Sequence, residues 1–319
     1  MPSVILRAMN AYYCHHFVLP LPEGHSFPMA KYTRLHERVV GLAPALGIVL
    51  REPPPATDED LGRAHDPWYV RAMADGSVDP AVMRRVGFPW SEAMVERSRR
   101  SSGGTMMALR DAVAGEGIAV NLAGGTHHAG PARGGGYCVF NDAAVAARYV
   151  QANGWARRVL VVDLDVHQGD GTALIAAGDD TLFTFSMHSA RNYPAVKPAS
   201  DLDVALPDGT GDDAYLDALA AHLPQAIDRA RADAVVYLAG ADPFVGDRLG
   251  HLALSKAGLA ERDRQVLAAC RRHGLPVAVC MAGGYAPEVD DIVDIHFATV
   301  RQAARHHREQ GRPAGAAPG

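Results

Sequence analysis

The chain has 319 residues, of which 48% are hydrophobic and 21% charged, and its formal net charge is −5. That balance is typical of a globular protein long enough for one large α/β domain. A negative charge without a basic run argues against a nucleic-acid partner, and no apolar run is long enough to span a membrane. Four cysteines without a CxxC pair exclude a zinc finger and predict free thiols in a reducing cytoplasm.

Apolar, β-branched runs alternate with helical patterns along the chain. The predicted helices are Met29–Leu46, Ser91–Ala114, Asp142–Asn153, Asp212–Arg231 and Ser255–His273. The predicted strands are Gly117–Leu122, Val159–Asp165, Thr181–Ser186, Ala234–Leu238 and Pro276–Met281. This alternation predicts an α/β fold with a mostly parallel sheet and helices on both faces. We expect one domain over residues 1–305 and a disordered tail over residues 306–319.

The segment from Val159 to Gly171, VLVVDLDVHQGDG, carries the strongest functional signal. Its apolar run is typical of a buried strand, and Asp163, Asp165 and His167 follow at alternate positions. Alternate residues share one face of a strand, so these groups converge at one strand end. Because buried carboxylates are costly without a partner, the convergence indicates a bound cation.

Glycine-rich turns with polar residues follow three further predicted strands. They contain His127 and His128 after the first, Asp242 after another and Tyr285 after the last. Ligands of open parallel sheets bind beyond the carboxyl ends of the strands. We therefore expect these side chains to share one site with the Asp163–Asp170 segment.

Asp165, His167 and Asp242 form a candidate ligand set of two carboxylates and one imidazole. Three protein ligands with one open position are typical of a catalytic zinc site, and iron(II) or cobalt fits the same donors. The alternative is that the aspartates cap helices or accept backbone hydrogen bonds.

His127 and His128 are candidate proton-transfer residues, with Asp163 and Asp170 as their hydrogen-bond acceptors. Tyr285 could donate to a developing oxyanion, and two aromatic residues, Tyr137 and Tyr193, could wall a channel for an aliphatic chain. Each has an alternative: the histidines as a hydrogen-bonded core pair, the tyrosines as ordinary packed or rim aromatics.

The motifs GGTHHAGP, GGGYCVFND, DLDVHQGDG, AGADP and AGGY, in this order, resemble the zinc-dependent histone deacetylases and their bacterial amidohydrolase relatives. Three other stretches, HHFVLPLPEGHSFPMAKY, GFPWS and SDLDVALPDGTGD, resemble the class IV-like bacterial branch.

The resemblance implies the arginase/deacetylase fold, a three-layer α/β/α sandwich, and assigns a role to each candidate residue. Its zinc ligands fall on Asp165, His167 and Asp242, one zinc per chain. Its histidine dyad, the aspartate partners and the transition-state tyrosine fall on His127, His128, Asp163, Asp170 and Tyr285. Its channel walls fall on Gly136, Tyr137 and Tyr193. Its structural potassium or sodium ion would lie at Asp163, Ser186 and the backbone of Asp165, His167 and Met187.

The implied reaction is hydrolysis of an N-ε-acyl-lysine or a related acylated primary amine by a metal-activated water. Class I members carry a rim aspartate that grips the substrate backbone, whereas the corresponding region here is Phe88-Pro89-Trp90. That departure favours a small acylated amine or a longer acyl chain. Acetylpolyamine hydrolysis, a binuclear-manganese ureohydrolase and a non-catalytic acyl-ligand binder remain the alternatives, and the sequence leaves the oligomeric state open.

Overall fold

Short buried runs form a single central sheet in the computed structural model, which describes residues 8–310 apart from the side chains of Glu116 and Gln310. The strands are β1 (Met9–Tyr12), β2 (Ile48–Arg51), β3 (Ile118–Asn121), β4 (Val159–Asp163), β5 (Leu182–Ser189), β6 (Leu202–Leu206), β7 (Ala234–Leu238) and β8 (Val277–Cys280). They lie in the order β2-β1-β3-β8-β7-β4-β5-β6, and every neighbouring pair is parallel.

The α-helices lie between the strands along the chain, and several begin where a side chain caps their free N–H groups. They are α1 (Ala30–Leu46), α2 (Asp58–Gly62), α3 (Pro67–Asp75), α4 (Pro80–Val86), α5 (Glu92–Asp111), α6 (Asp142–Ala152), α7 (Asp170–Ala176), α8 (Asp212–Ala230), α9 (Lys256–Arg272) and α10 (Val289–Gln310). Ser91, Asn141 and Ser255 accept hydrogen bonds from backbone N–H groups in the first turns of α5, α6 and α9.

The two faces of the sheet bury separate apolar cores. Along β4, Leu160 and Val162 pack with residues of α1, α8, α9 and α10, whereas Val159 and Val161 pack with residues of α5 and α6. This alternation follows from the two-residue period of a strand. Helices therefore cover both faces, and the predicted α/β/α sandwich around a parallel sheet is confirmed.

All five predicted strands and all five predicted helices are present, with boundaries shifted by three residues or fewer. The predicted disorder of residues 306–319 is wrong at its start, because α10 continues to Gln310. His306 and His307 are buried there, since they continue the apolar face formed by Ala303 and Ala304. Residues 311–319 lie outside the described part of the chain.

Candidate active site

The turn after β3 carries the histidine pair and is held in place by Asp142, the first residue of α6. Asp142 accepts hydrogen bonds from the backbone N–H groups of Gly125 and Thr126, at 3.0 and 2.6 Å. Gly124 and Gly125 have φ values of +80° and +77°, a conformation that favours glycine. The two glycines thus allow the tight turn that directs both following histidines inward.

Each histidine of the pair is hydrogen-bonded to its own aspartate. His127 Nδ1 lies 2.7 Å from Asp163 Oδ2, and His128 Nδ1 lies 2.6 Å from Asp170 Oδ1. All four side chains are buried, and the two imidazole ring centres are 4.1 Å apart. The structure therefore brings together the two predicted His–Asp pairs through the Nδ1 atoms, and His127 Nε2 also lies 3.8 Å from Asp165 Oδ1.

The environments of the two histidines shift their pKa values in opposite directions. Burial lowers the pKa of His127, but the negative charges of Asp163 and Asp165 outweigh it and raise the pKa to about 9. Burial, with the positive charge of His127, lowers the pKa of His128 to about 4 despite the Asp170 contact. At neutral pH His128 is therefore neutral and able to accept a proton.

The three predicted metal ligands come from the segment after β4 and the turn after β7. Candidate ligand atoms of Asp165, His167 and Asp242 all lie within 4.8 Å of one another. His167 Nδ1 is 3.0 Å from Asp165 Oδ1 and 3.3 Å from Asp242 Oδ2. The imidazole thus faces both carboxylates through the same nitrogen.

The protein groups around this triad fit a divalent cation. Asp242 is fully buried, and among the described residues its Oδ2 atom accepts no hydrogen bond, the 3.3 Å approach of His167 Nδ1 being an ion-pair contact only. A Cβ atom at Gly283 would lie 1.9 Å from that oxygen, so glycine keeps the space beside it open. Burial lowers the pKa of His167, but Asp165 and Asp242 raise it to about 10, which shows that the two carboxylates favour positive charge between them.

Tyr285 follows β8 and the Gly283–Gly284 turn. Its ring centre lies 6.3 Å from that of His167, and its backbone N–H donates to Asp247 Oδ2 at 2.6 Å. Burial, together with the charges of Asp165 and Asp242, raises the pKa of Tyr285 well above its usual value. The phenol is therefore a neutral hydrogen-bond donor close to the metal triad.

The predicted channel walls surround His128. A Cβ atom at Gly136 would lie 2.4 Å from His128 Cδ2, so a side chain at that position would displace the imidazole. The Tyr193 ring stands edge-on to His128 with ring centres 4.8 Å apart, and Tyr193 is 48% exposed. The Tyr137 ring centre lies 5.9 Å from that of Tyr285. Gly136 and Tyr137 line one cavity together with the two histidines and Tyr285, whereas Tyr193 is not part of that lining.

The predicted rim segment Phe88-Pro89-Trp90 lies beside Tyr137. The ring centre of Phe88 is 5.2 Å from that of Tyr137, while the Trp90 indole N–H donates to the Met73 carbonyl. The segment thus packs against Tyr137 through a buried phenylalanine, and it contains no charged group.

The residues predicted for a monovalent ion lie on neighbouring strands. Asp163 of β4 is the register partner of Ser186 of β5, and Met187 follows Ser186. The Ser186 hydroxyl contacts His188 Nδ1 at 2.9 Å, and Asp163 Oδ1 accepts from the Asp165 N–H at 3.2 Å. The juxtaposition is present, whereas ion binding there stays a prediction.

The structure adds site residues that the motifs did not single out. Arg133 donates to Asp170 Oδ2 at 2.5 Å, on the oxygen that His128 does not use. Lys31 and Arg97 line the inner end of the cavity, and Asp247 contacts Tyr285. Lys31 lies within the HHFVLPLPEGHSFPMAKY stretch, but no spacing rule connects it with a turn more than 250 residues away.

Comparison with known proteins identifies the family. Residues 25–303 match the histone deacetylase domain. An uncharacterized protein of Picosynechococcus sp. is 46% identical over 91% of this chain and 96% of its own length. The histone deacetylase-like amidohydrolase of Pseudomonas aeruginosa is 30% identical over 84% of this chain and 74% of its own length. The crystal structure of the HDA15 HD domain superposes with a TM-score of 0.80 at 20% identity, covering 96% of this chain and 92% of that domain.

The histone deacetylase domain and the amidohydrolase relatives show that the protein is a hydrolase of amide C–N bonds. The chain belongs to the histone deacetylase family, as the sequence resemblance predicted. In the described part of the chain, no helix combines the length and the apolar character needed to cross a membrane.

Proposed function

We propose that the protein is a zinc-dependent deacylase that removes acetyl or longer acyl groups from N-ε-acyl-lysine. The observation that carries the proposal is the convergence of His128–Asp170, Tyr285 and the Asp165–His167–Asp242 triad beside one cavity, which His128, Tyr285 and Asp165 line. A ureohydrolase or a simple binding protein would not require a histidine dyad, its two aspartate partners and a tyrosine together.

In this proposal Asp165, His167 and Asp242 hold the zinc ion, and iron(II) or cobalt fits the same donors. A bound ion of this kind lowers the pKa of water and polarises a carbonyl group. Asp163, Ser186 and the backbone of Asp165, His167 and Met187 would hold the potassium or sodium ion. Support for that second site is the buried Asp163 carboxylate beside Ser186.

The proton transfers are assigned to the protein side chains. Neutral His128, oriented by Asp170, accepts a proton from the attacking water through Nε2. The Tyr285 hydroxyl donates a hydrogen bond to the substrate carbonyl oxygen as negative charge develops there. The protonated His128, with His127 beside it, then delivers the proton that the leaving amine requires.

The substrate side of the proposal rests on the cavity lining. Gly136, Tyr137 and Tyr193 would enclose an aliphatic acyl-lysine side chain between aromatic faces. The segment Phe88-Pro89-Trp90 carries no carboxylate to grip a peptide backbone, which also favours a small acylated amine. Acetylpolyamine hydrolysis is therefore the second candidate, with the same chemistry. The four buried free cysteines support a reducing, cytoplasmic compartment.

The test is a turnover panel of acetyl-, butyryl-, octanoyl- and myristoyl-lysine peptides and acetylspermidine, each with and without a chelator. We expect chelator-sensitive release of acyl groups, and the preferred substrate distinguishes the two candidate functions.

His128→Ala should retain zinc and lose about 10²–10⁴-fold in kcat. His273→Ala, at an exposed position after α9, is the matched control and should match the wild type. Wild-type turnover by His128→Ala would reject the assignment.

A further inference from the structure

Lys31 is a buried cation beneath the proposed catalytic tyrosine. It lies in the first turn of α1, and only 3% of the residue is exposed. Its Nζ atom donates to the Gly284 carbonyl oxygen at 3.2 Å. Among the described residues, no carboxylate oxygen lies within ion-pair distance of this ammonium group. Burying a charge costs free energy, so the groups that contact this ammonium must stabilise it.

Aromatic rings supply most of the remaining environment of Lys31. The ammonium nitrogen lies 5.1 Å from the ring centre of Phe27, 5.5 Å from that of Tyr32 and 5.3 Å from that of Tyr285. These distances are within the range of cation–π attraction, which is strongest when the cation is shielded from water. One face of the Tyr285 ring is thus occupied by a positive charge.

The backbone of Tyr285 is held at both ends of its peptide bond. On one side Lys31 contacts the Gly284 carbonyl, and on the other Asp247 accepts the Tyr285 N–H at 2.6 Å. Gly284 has a φ of +149°, and a Cβ atom there would lie 2.8 Å from Ile292. The conformation of this turn therefore depends on glycine and on the two charged side chains.

We propose that Lys31 is a positioning residue for Tyr285: it anchors the Gly284 carbonyl and places its positive charge over the phenol ring. The charge withdraws electron density from the ring and makes the hydroxyl a stronger hydrogen-bond donor. This inference rests on the proposed role of Tyr285 and deepens it. Among the described residues no carboxylate forms an ion pair with Lys31, so its charge acts on the Tyr285 ring without a local counter-ion.

The effect of Lys31 is specific to the step in which negative charge appears. A neutral substrate carbonyl gains little from a stronger donor, whereas an oxyanion gains more. Loss of the charge should therefore lower kcat and leave KM nearly unchanged. A purely structural role would lower the melting temperature and the amount of active enzyme without coupling to the Tyr285 hydroxyl.

The test is a double-mutant cycle on the zinc-loaded full chain. Lys31→Gln keeps a donor for Gly284 and removes the charge, while Lys31→Arg keeps the charge. We expect Lys31→Gln to lower kcat about tenfold, Lys31→Arg to stay within about threefold, and both to leave zinc content unchanged. In a Tyr285→Phe background Lys31→Gln should change kcat less than about twofold, because the hydroxyl is gone. Lys256→Gln, on the surface of α9, is the matched control.

Two outcomes separate this inference from the proposed function. Should Tyr285→Phe turn over at the wild-type rate, the proposed role of Tyr285 fails. Should Tyr285→Phe be slow while Lys31→Gln slows both backgrounds equally, only the role of Lys31 is overturned. If Lys31→Gln does not fold, Asp247→Asn weakens the other end of the same peptide anchor. It should lower kcat in the wild type and have little effect in Tyr285→Phe, and equal losses in both would overturn the anchor.

Discussion

Arg262 offers a direct test of how the fold supports the metal triad. This residue of α9 is completely buried, and its guanidinium contacts the carboxylate of the adjacent Asp263. It also donates to the carbonyl oxygens of Gly240 at 2.6 Å and Leu164 at 3.3 Å. Those carbonyls lie on the segments that carry Asp242 and Asp165. Arg262 therefore connects the two backbone segments that carry the proposed metal ligands.

We expect Arg262→Met to lower the free energy of unfolding by about 3–5 kcal/mol, the range for breaking a buried ion pair. The loss arises because Asp263 stays buried without its cation, although Tyr237 and Thr299 still donate to it at 2.6 Å each. The double variant Arg262→Met/Asp263→Asn should recover part of the loss, since it removes the uncompensated charge. Zinc affinity should fall in the single variant because two backbone carbonyls lose their donor.

Urea unfolding monitored by fluorescence and circular dichroism measures the stability, and competition with a chromophoric chelator measures the zinc affinity. The matched control is Arg264→Met on the same helix, whose side chain is 49% exposed and pairs with Glu261. A surface pair contributes less than about 1 kcal/mol, so the control should be nearly neutral. The reasoning is refuted if Arg262→Met is no more destabilising than the control.

Three further predictions concern metal binding and pH. Asp242→Asn should reduce zinc from one ion per chain towards zero by elemental analysis, with retained zinc contradicting the ligand assignment. Burial lowers the pKa of His65 from 6.5 to about 4, so the unfolded chain binds a proton that the folded chain does not. Stability should therefore fall as pH drops from 6.5 to 4, and His65→Gln should remove up to about 3 kcal/mol of that dependence in acid denaturation. Arg133→Gln should strengthen the negative field of Asp170 on His128. The pKa of the acid limb of the kcat/KM profile should therefore rise by less than about one pH unit, and a downward shift would contradict this.

The chemistry-bearing turns were predictable because they follow apolar runs that the chain buries. In a parallel sheet all strand ends point to one edge, so β3, β4, β7 and β8 had to deliver His127, Asp165, Asp242 and Tyr285 together. The edge strands β2 and β6, and β1 beside β2, were not predicted. They have four or five residues each, and the alternation of exposed and partly buried positions in β6 is too short to identify.

The residues that hold the Tyr285 backbone in place could not be predicted from the sequence. Lys31 and Asp247 contact the same peptide group, yet 216 positions separate them in the chain. Nothing local distinguishes Lys31 from a surface lysine at the start of an amphipathic helix. Its burial follows from the packing of α1 beside α10 and from the position of the β8 turn, which only the assembled sheet determines.

The order of the strands has a consequence for biosynthesis. β8 is the last strand to leave the ribosome, yet it lies in the middle of the sheet between β3 and β7. Until it is made, the β2-β1-β3 part, which leads to His127, has no strand joining it to the β7-β4-β5-β6 part, which leads to Asp165 and Asp242. Domains tend to fold as units during synthesis, and here the two parts of the sheet can join only once β8 has been made. A nascent chain halted before β8 would carry His127, Asp165 and Asp242 with no strand to hold them together.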